Sequence, residues 1–455
     1  MEDMKRRDFL KVLGGAGVAA AVVAAGCKHP NEISAEGFSE GEVPTDKMTY
    51  RKDTHGEKVS LLGYGCMRLP VVDENAEDKV IDQEMVNKET DYAIAHGMTY
   101  FDTAPVYCKG KSEHAVGVAL SRHKRNEFTI ATKLSNFSNW TRENSIAMYK
   151  NSFKELQVDY IDYYLLHSLA GGIDKIRQRF IDNEMVDFLM KEREAGRIRN
   201  LGFSFHGTME ELNFMLDMHE KVHWDFVQIQ MNYVYWRHAE EQTDGNTNAE
   251  KLYNALNERN IPVVIMEPLL GGRLASLPDH EVEKLKAREP QKSIASWAFR
   301  FCGSHEGVMT ILSGMTYMEH LQDNLRTLSP LEPLNEEEYA LLEDIASSYI
   351  KYPIVPCTGC QYCMPCPYGL NIPKIFAHYN KGVNEGWVGT DKMDPEYRKA
   401  RRSFLVGYDR TLERERQADH CIGCGQCMEH CPQKIQIPEM MKMIDGVTEK
   451  FKTEK

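Results

Sequence analysis

Eight short runs rich in β-branched and aromatic residues alternate with longer amphipathic stretches between residues 48 and 330. That rhythm predicts a (β/α)8 barrel of the α/β class. Eight of the twelve cysteines crowd into the last hundred residues as two closely spaced runs. They predict a small, mainly α-helical metal-binding domain behind the barrel. The expected division is a leader over 1–26, a linker over 27–47, the barrel over 48–330, a connecting helix over 331–350 and the cysteine-rich domain over 351–455.

The 455 residues carry 55 Lys and Arg against 68 Asp and Glu, a formal charge of −13. This length suits two or three domains, and the acidic balance argues against a nucleic-acid partner. With 42% hydrophobic and 27% charged residues the chain has globular composition. No apolar run approaches the roughly 18 residues of a membrane span. The leader reads Lys5-Arg6-Arg7-Asp8-Phe9-Leu10-Lys11 before a mild apolar stretch over 12–25, a pattern similar to a twin-arginine export signal. Cys27 follows Ala24-Ala25-Gly26, which resembles a lipid-attachment box and makes Cys27 a candidate lipid anchor. The expected location is periplasmic or membrane-anchored, and cytoplasmic if the leader is an ordinary helix.

The barrel elements follow in order. Strands are predicted at 59–62, 98–101, 128–132, 161–166, 199–203, 226–229, 262–266 and 308–312, with helical patterns such as 84–96, 143–156 and 181–195 between them. Ala95-His96-Gly97, Ala195-Gly196-Arg197 and Asn260-Ile261-Pro262 mark turns. A doubly wound sheet is the competitor, but it calls for a Gly-rich fingerprint after the first strand. Gly63-Tyr64-Gly65-Cys66-Met67-Arg68 lacks the third glycine.

In a barrel, reactive groups sit where strands end. Those positions hold Asp102, Lys133, His167, Ser204, Gln228 and Glu267, with Tyr107 five residues past Asp102. A tyrosine beside an ammonium suggests a tuned acid: Lys133 would draw the Tyr107 pKa down, and Asp102 would hold Lys133 charged. His167 could position a carbonyl oxygen. The quartet suits protonation of an alkoxide as hydride reaches a carbonyl carbon, or the reverse.

Phe101-Asp102-Thr103-Ala104-Pro105-Val106-Tyr107, then Ser112-Glu113, Ala131-Thr132-Lys133, Asp159-Tyr160-Ile161-Asp162, His167 and Arg199-Asn200-Leu201-Gly202-Phe203-Ser204 together resemble the aldo-keto reductases. The resemblance implies a catalytic tetrad of Asp102, Tyr107, Lys133 and His167, with Tyr107 as general acid, acting on a small carbonyl or alcohol substrate with NAD(P)(H). It implies that Ser204 and Gln228 hold the nicotinamide carboxamide. Gly65, Cys66 and Met67 would line the site, Leu269 to Gly271 would lie near the pyrophosphate, and Asp323 and Asn324 would contact adenosine. Met266, before Glu267, stands where the family often stacks an aromatic ring. The loop over 313–324 has no Lys or Arg for a 2′-phosphate, so the choice between NAD and NADP stays open.

The first cysteine run is Cys357-x2-Cys360-x2-Cys363-x2-Cys366-Pro367, the second Cys421-x2-Cys424-x2-Cys427-x3-Cys431-Pro432. Both are similar to bacterial ferredoxin motifs, in which three close thiolates wrap one cubane and the fourth ligates its neighbour. The resemblance implies two [4Fe–4S] clusters, one on Cys357, Cys360, Cys363 and Cys431, the other on Cys421, Cys424, Cys427 and Cys366. Zinc is the alternative, but zinc ribbons pair two C-x2-C knuckles rather than chaining three steps. The segments over 366–373 and 431–438 also look like related halves.

The expected function is a carbonyl/alcohol oxidoreductase whose clusters relay electrons to a partner protein or mediator, or only brace the tail. The alternative is a non-catalytic barrel serving as an electron-transfer or binding subunit.

Overall fold

The protein is described by a computed structural model covering residues 38–454 except 40, 75, 77 and 391. The leader and Cys27 lie outside the described residues. An antiparallel hairpin, β1 (Tyr50–Lys52) and β2 (Lys58–Ser60), comes first. Eight parallel strands then close a barrel in the order β10-β3-β4-β5-β6-β7-β8-β9. They are β3 (Leu62–Gly65), β4 (Tyr100–Asp102), β5 (Thr129–Leu134), β6 (Ile161–Leu169), β7 (Ile198–Phe205), β8 (Phe226–Gln230), β9 (Val263–Met266) and β10 (Val308–Ser313).

Each predicted strand has a counterpart, and the first one splits. The apolar run at 59–62 covers the end of β2 and the start of β3, because the Ser60 hydroxyl turns back to donate to Leu62 O at 2.7 Å. The hairpin loop plugs the floor: the Tyr163 hydroxyl donates to Asp53 Oδ2 at 2.9 Å. Above it the barrel is filled by side chains, as this fold requires. Tyr100 lies 5.0 Å from Tyr163, and Tyr163 5.2 Å from Phe226, between ring centroids.

Outside the strands, helices bury their apolar faces against the sheet. Thr141 caps Arg142–Leu156 through Asn144 N. Asn335 and Glu338 form a capping box at the start of Glu336–Tyr349, where three glutamates favour the positive end of the helix dipole. That helix buries Leu342, Ile345, Ala346 and Tyr349 in the barrel core.

The tail has its own core, built on Leu370, Ile375, Phe376, Phe404, Met441 and Ile444. Its helices are Ile372–Asn384, Tyr397–Thr411 and Ile437–Thr453. The two related halves have a structural counterpart: each runs from a Cys-Pro step to an Ile-Pro step that opens a helix. Proline is tolerated there because the first-turn N–H has no intrahelical partner. Among the described residues no helix is long and apolar enough to cross a membrane.

Candidate active site at the barrel mouth

Parallel register brings the strand ends to one rim. Asp102 closes β4, Lys133 lies one residue short of the end of β5, and Ser204 on β7 pairs with Gln228 on β8. The register slips in β6 between Leu166 and Leu169, where Ser168 takes a positive φ of 54°. Such an irregularity re-aims a side chain, and here it sits at His167. The Ser168 N–H donates to Ser204 Oγ at 2.7 Å, while Arg179 donates to His167 O and Ser168 O. Tyr107 is set by a left-handed pair behind it, Cys108 and Lys109 at φ 50° and 55°. Ser112 secures that loop by donating to Cys66 O at 2.7 Å, and Glu113 accepts from Thr132 Oγ1 at 2.6 Å.

Asp102, Tyr107, Lys133 and His167 are all buried. Lys133 Nζ donates to Asp102 Oδ1 at 2.6 Å and to Thr103 O at 2.8 Å, and lies 5.0 Å from the centroid of the Tyr107 ring. Burial pulls the Lys133 pKa down and the Asp102 pKa up, and each is partly restored by the other. His167 Nδ1 bonds Ser135 Oγ at 2.6 Å. Burial, with Lys133 and Arg179 nearby, holds its pKa well below the usual imidazole value, so the ring is neutral. The Tyr107 phenol departs from the sequence expectation. Burial pushes its pKa well up, and the charge of Lys133 is spent on Asp102 and Thr103. The hydroxyl therefore keeps its proton in the substrate-free site.

That hydroxyl shares a hydrogen bond with the hydroxyl of Tyr362, which lies between Cys360 and Cys363 in the tail. The tail is seated on the rim elsewhere too. Arg68 donates to Thr358 O, and the Tyr235 hydroxyl donates to Gln433 Oε1 at 2.8 Å. Gly271 has φ +69°, and a Cβ there would run into the Thr358 backbone.

The residues assigned to the nucleotide divide into two groups. At the ring end, Gln228 Oε1 is buried without a partner, which fits an acceptor for a carboxamide N–H, with Ser204 beside it and Met266 at the end of β9. Cys66 lies among the groups facing Asp102 and Lys133. Gly65 closes β3, and Met67 O accepts from the Cys108 thiol at 3.5 Å. Glu267, at φ +57°, and Leu269 precede the Gly271 turn, and burial raises the Glu267 carboxyl against the pull of Arg68. The adenosine end is differently occupied. Asp323 accepts from Ser39 N at 2.7 Å and from Ser293 Oγ at 2.7 Å, and Asn324 donates to Ser313 Oγ at 3.0 Å.

The eight tail cysteines line two cavities of about 20 Å3 each. Cys357, Cys360, Cys363 and Cys431 surround one; Cys366, Cys421, Cys424 and Cys427 surround the other. Ile372 and Ile437 border both and form the wall between them. Among the described residues no set of three or more His, Cys, Asp or Glu side chains converges closely enough for a single ion. Four soft thiols spread around a cavity fit a cubane instead. Gln433, which lines the first cavity, is 1% exposed and its Nε2 has no partner, a donor still free for a group bound there. Ser135, Phe137, Arg179, Tyr362 and Gln433 are the site residues that the sequence reading missed. Ser135, two residues past Lys133, could have been found by the strand-end rule; the others depend on tertiary docking.

The model of the Aldo/keto reductase family matches residues 61–347, and that of the 4Fe-4S dicluster domain matches residues 356–435. An uncharacterized oxidoreductase of Bacillus subtilis is 25% identical over 317 residues, 63% of this chain and 92% of its own. The L-galactose dehydrogenase of Arabidopsis thaliana is 22% identical over 312 residues, 63% of this chain and 90% of its own. A crystal structure of an aldo-keto reductase from Klebsiella pneumoniae in complex with NADPH superposes with a TM-score of 0.53 at 22% identity, covering 66% of this chain and 95% of that one.

Proposed function

The chain belongs to the aldo/keto reductase family and carries a 4Fe-4S dicluster domain; on that footing we propose that it interconverts a small carbonyl compound and its alcohol at the barrel mouth. The observation that carries this reading is the buried convergence of Asp102, Lys133, Tyr107 and His167. In the reducing direction Tyr107, held protonated by burial, gives its proton to the substrate oxygen. The phenolate left behind faces the Lys133 ammonium, which Asp102 keeps in place. Neutral His167, oriented through Nδ1 by Ser135, presents its other edge toward the oxygen.

A nicotinamide, when bound, supplies hydride to the carbonyl carbon. Ser204 and Gln228 would hold its carboxamide and Met266 would cover its ring. The Cys357 and Cys421 sets would each hold one [4Fe–4S] cluster, which would supply one-electron chemistry toward a redox partner protein or mediator, or brace the tail. Export by the twin-arginine route, with lipid attachment at Cys27, belongs to the same proposal. Replacing Arg6 and Arg7 together by lysine should then keep the full chain in the cytoplasm.

The test is Tyr107→Phe. Turnover of carbonyl substrates should fall at least about 10²-fold, the scale for losing a general acid, while iron content and fold stay unchanged. A Tyr107→Phe protein as fast as its parent would remove the tetrad reading.

A further inference from the structure

Four rings close a cycle at the barrel mouth. Tyr107 meets His167 edge-on at 5.9 Å and 80°, His167 meets Phe137 at 5.0 Å, and Phe137 meets Tyr362 at 6.1 Å. The Tyr362 hydroxyl returns to Tyr107 through the hydrogen bond between them. Three of these rings come from the barrel, and the fourth comes from the cysteine-rich loop. Two of the other polar groups around Tyr107 are engaged, while Asp102 Oδ2 is buried without a partner. Lys133 Nζ is spent on Asp102 and Thr103, and His167 Nδ1 on Ser135. In the substrate-free site the hydroxyl bonded to Tyr107 is that of Tyr362.

We propose that Tyr362 is a second hydroxyl donor to the substrate oxygen, and that the ring cycle it completes takes a carbonyl borne on a flat apolar group such as an aryl ring. The inference rests on the reading of Tyr107 as proton donor. A carbonyl oxygen has two lone pairs and a phenol has one O–H. An oxygen entering between the two tyrosines replaces their single mutual bond with two bonds to itself. Fixed donors in a water-poor site stabilise the charge that develops on such an oxygen. Tyr107 gives up its proton as the carbonyl carbon gains hydride, and Tyr362 keeps its own, so the atom and electron balance is that of the carbonyl reduction itself. The iron–sulfur domain thereby supplies a group that touches substrate. Its placement follows from the backbone between Cys360 and Cys363, which border one cavity.

The probe is 4-(dimethylamino)benzaldehyde, whose absorption band moves to longer wavelength when its carbonyl oxygen accepts hydrogen bonds. It is titrated into anaerobically purified holoprotein without reductant. The parent should shift the band. Tyr362→Phe, which keeps the ring against Phe137, should bind the aldehyde roughly tenfold more weakly, the scale of one hydrogen bond, and shift it less, at unchanged iron and sulfide content. The double Tyr107→Phe, Tyr362→Phe protein should show the smallest shift, the remainder that His167 alone supplies. Phe137→Leu, which thins the box but keeps both hydroxyls, should weaken binding and leave the bound band where the parent puts it. A Tyr362→Phe protein whose bound band matches the parent overturns the assignment, as does a parent that leaves the band unmoved at saturation or a Phe137→Leu protein that abolishes the shift. If Tyr107→Phe alone leaves the shift intact, the proton-donor reading falls and the Tyr362 donor stands.

Discussion

Lys133 is fully buried with a single carboxylate for a partner, and this shapes the chemistry around it. Breaking a buried pair leaves an uncompensated charge at a cost of about 3–5 kcal/mol. Asp102 is therefore part of what keeps the barrel mouth folded as well as part of the proposed reaction site. His167 contributes in the opposite sense. Its folded pKa lies well below 6.5, so below about pH 6.5 the unfolded chain takes up a proton that the folded chain refuses. Stability should fall as the pH drops through that range. Urea denaturation of the parent at pH 7.5 and 5.5 should show a larger loss than in His167→Gln, and equal losses would contradict the buried neutral imidazole.

At the scale of elements, the strand pattern was legible because β-branched runs and turn residues alternate so regularly, and the strand-end rule then pointed at Asp102, Lys133 and His167. Register details were not legible. The Ser60 turn that splits the first run and the slip at Ser168 arise from side-chain bonds to backbone, which periodicity does not encode. Tyr362 and Gln433 were invisible because their roles depend on how a cysteine loop docks against the barrel. Gln433 has a consequence at this scale. Its Oε1 is held by Tyr235 and its Nε2 is free in one cavity, whereas the other cavity is lined beyond its cysteines by apolar residues such as Leu370, Ile422 and Met441. Hydrogen bonds to sulfur and solvent exposure are the levers that set cluster potential. A donor stabilises the more negative, reduced cluster and raises its potential. Gln433→Leu should lower the potential of one centre and leave the other in place, as read by paramagnetic resonance during a redox titration. Two unshifted centres would refute this.

At the scale of the whole molecule, the tail meets the barrel at Tyr352 and His280, and three further polar contacts depend on the cysteine loops. Arg68 reaches Thr358, Tyr235 reaches Gln433, and Tyr107 reaches Tyr362, each partner lying within two residues of a cysteine. Burial pushes the Cys357 and Cys431 thiols up and Cys360 up to about 12. A thiolate in those positions calls for a positive charge beside it, which bound iron would supply, and metal binding of that kind is coupled to folding. The barrel carries its own larger core and has no such dependence. Holoprotein with both clusters should hold about eight irons per chain and resist protease throughout. Stripping the iron with an oxidant and a chelator should make the region around 356–435 cleavable first, leaving a folded barrel fragment. Tyr107 in that fragment loses Tyr362, so the aldehyde band shift should shrink in step with iron loss. An iron-free protein that stays protease-resistant over 356–435 and keeps the full band shift would show that the tail holds its place, and delivers Tyr362, without metal.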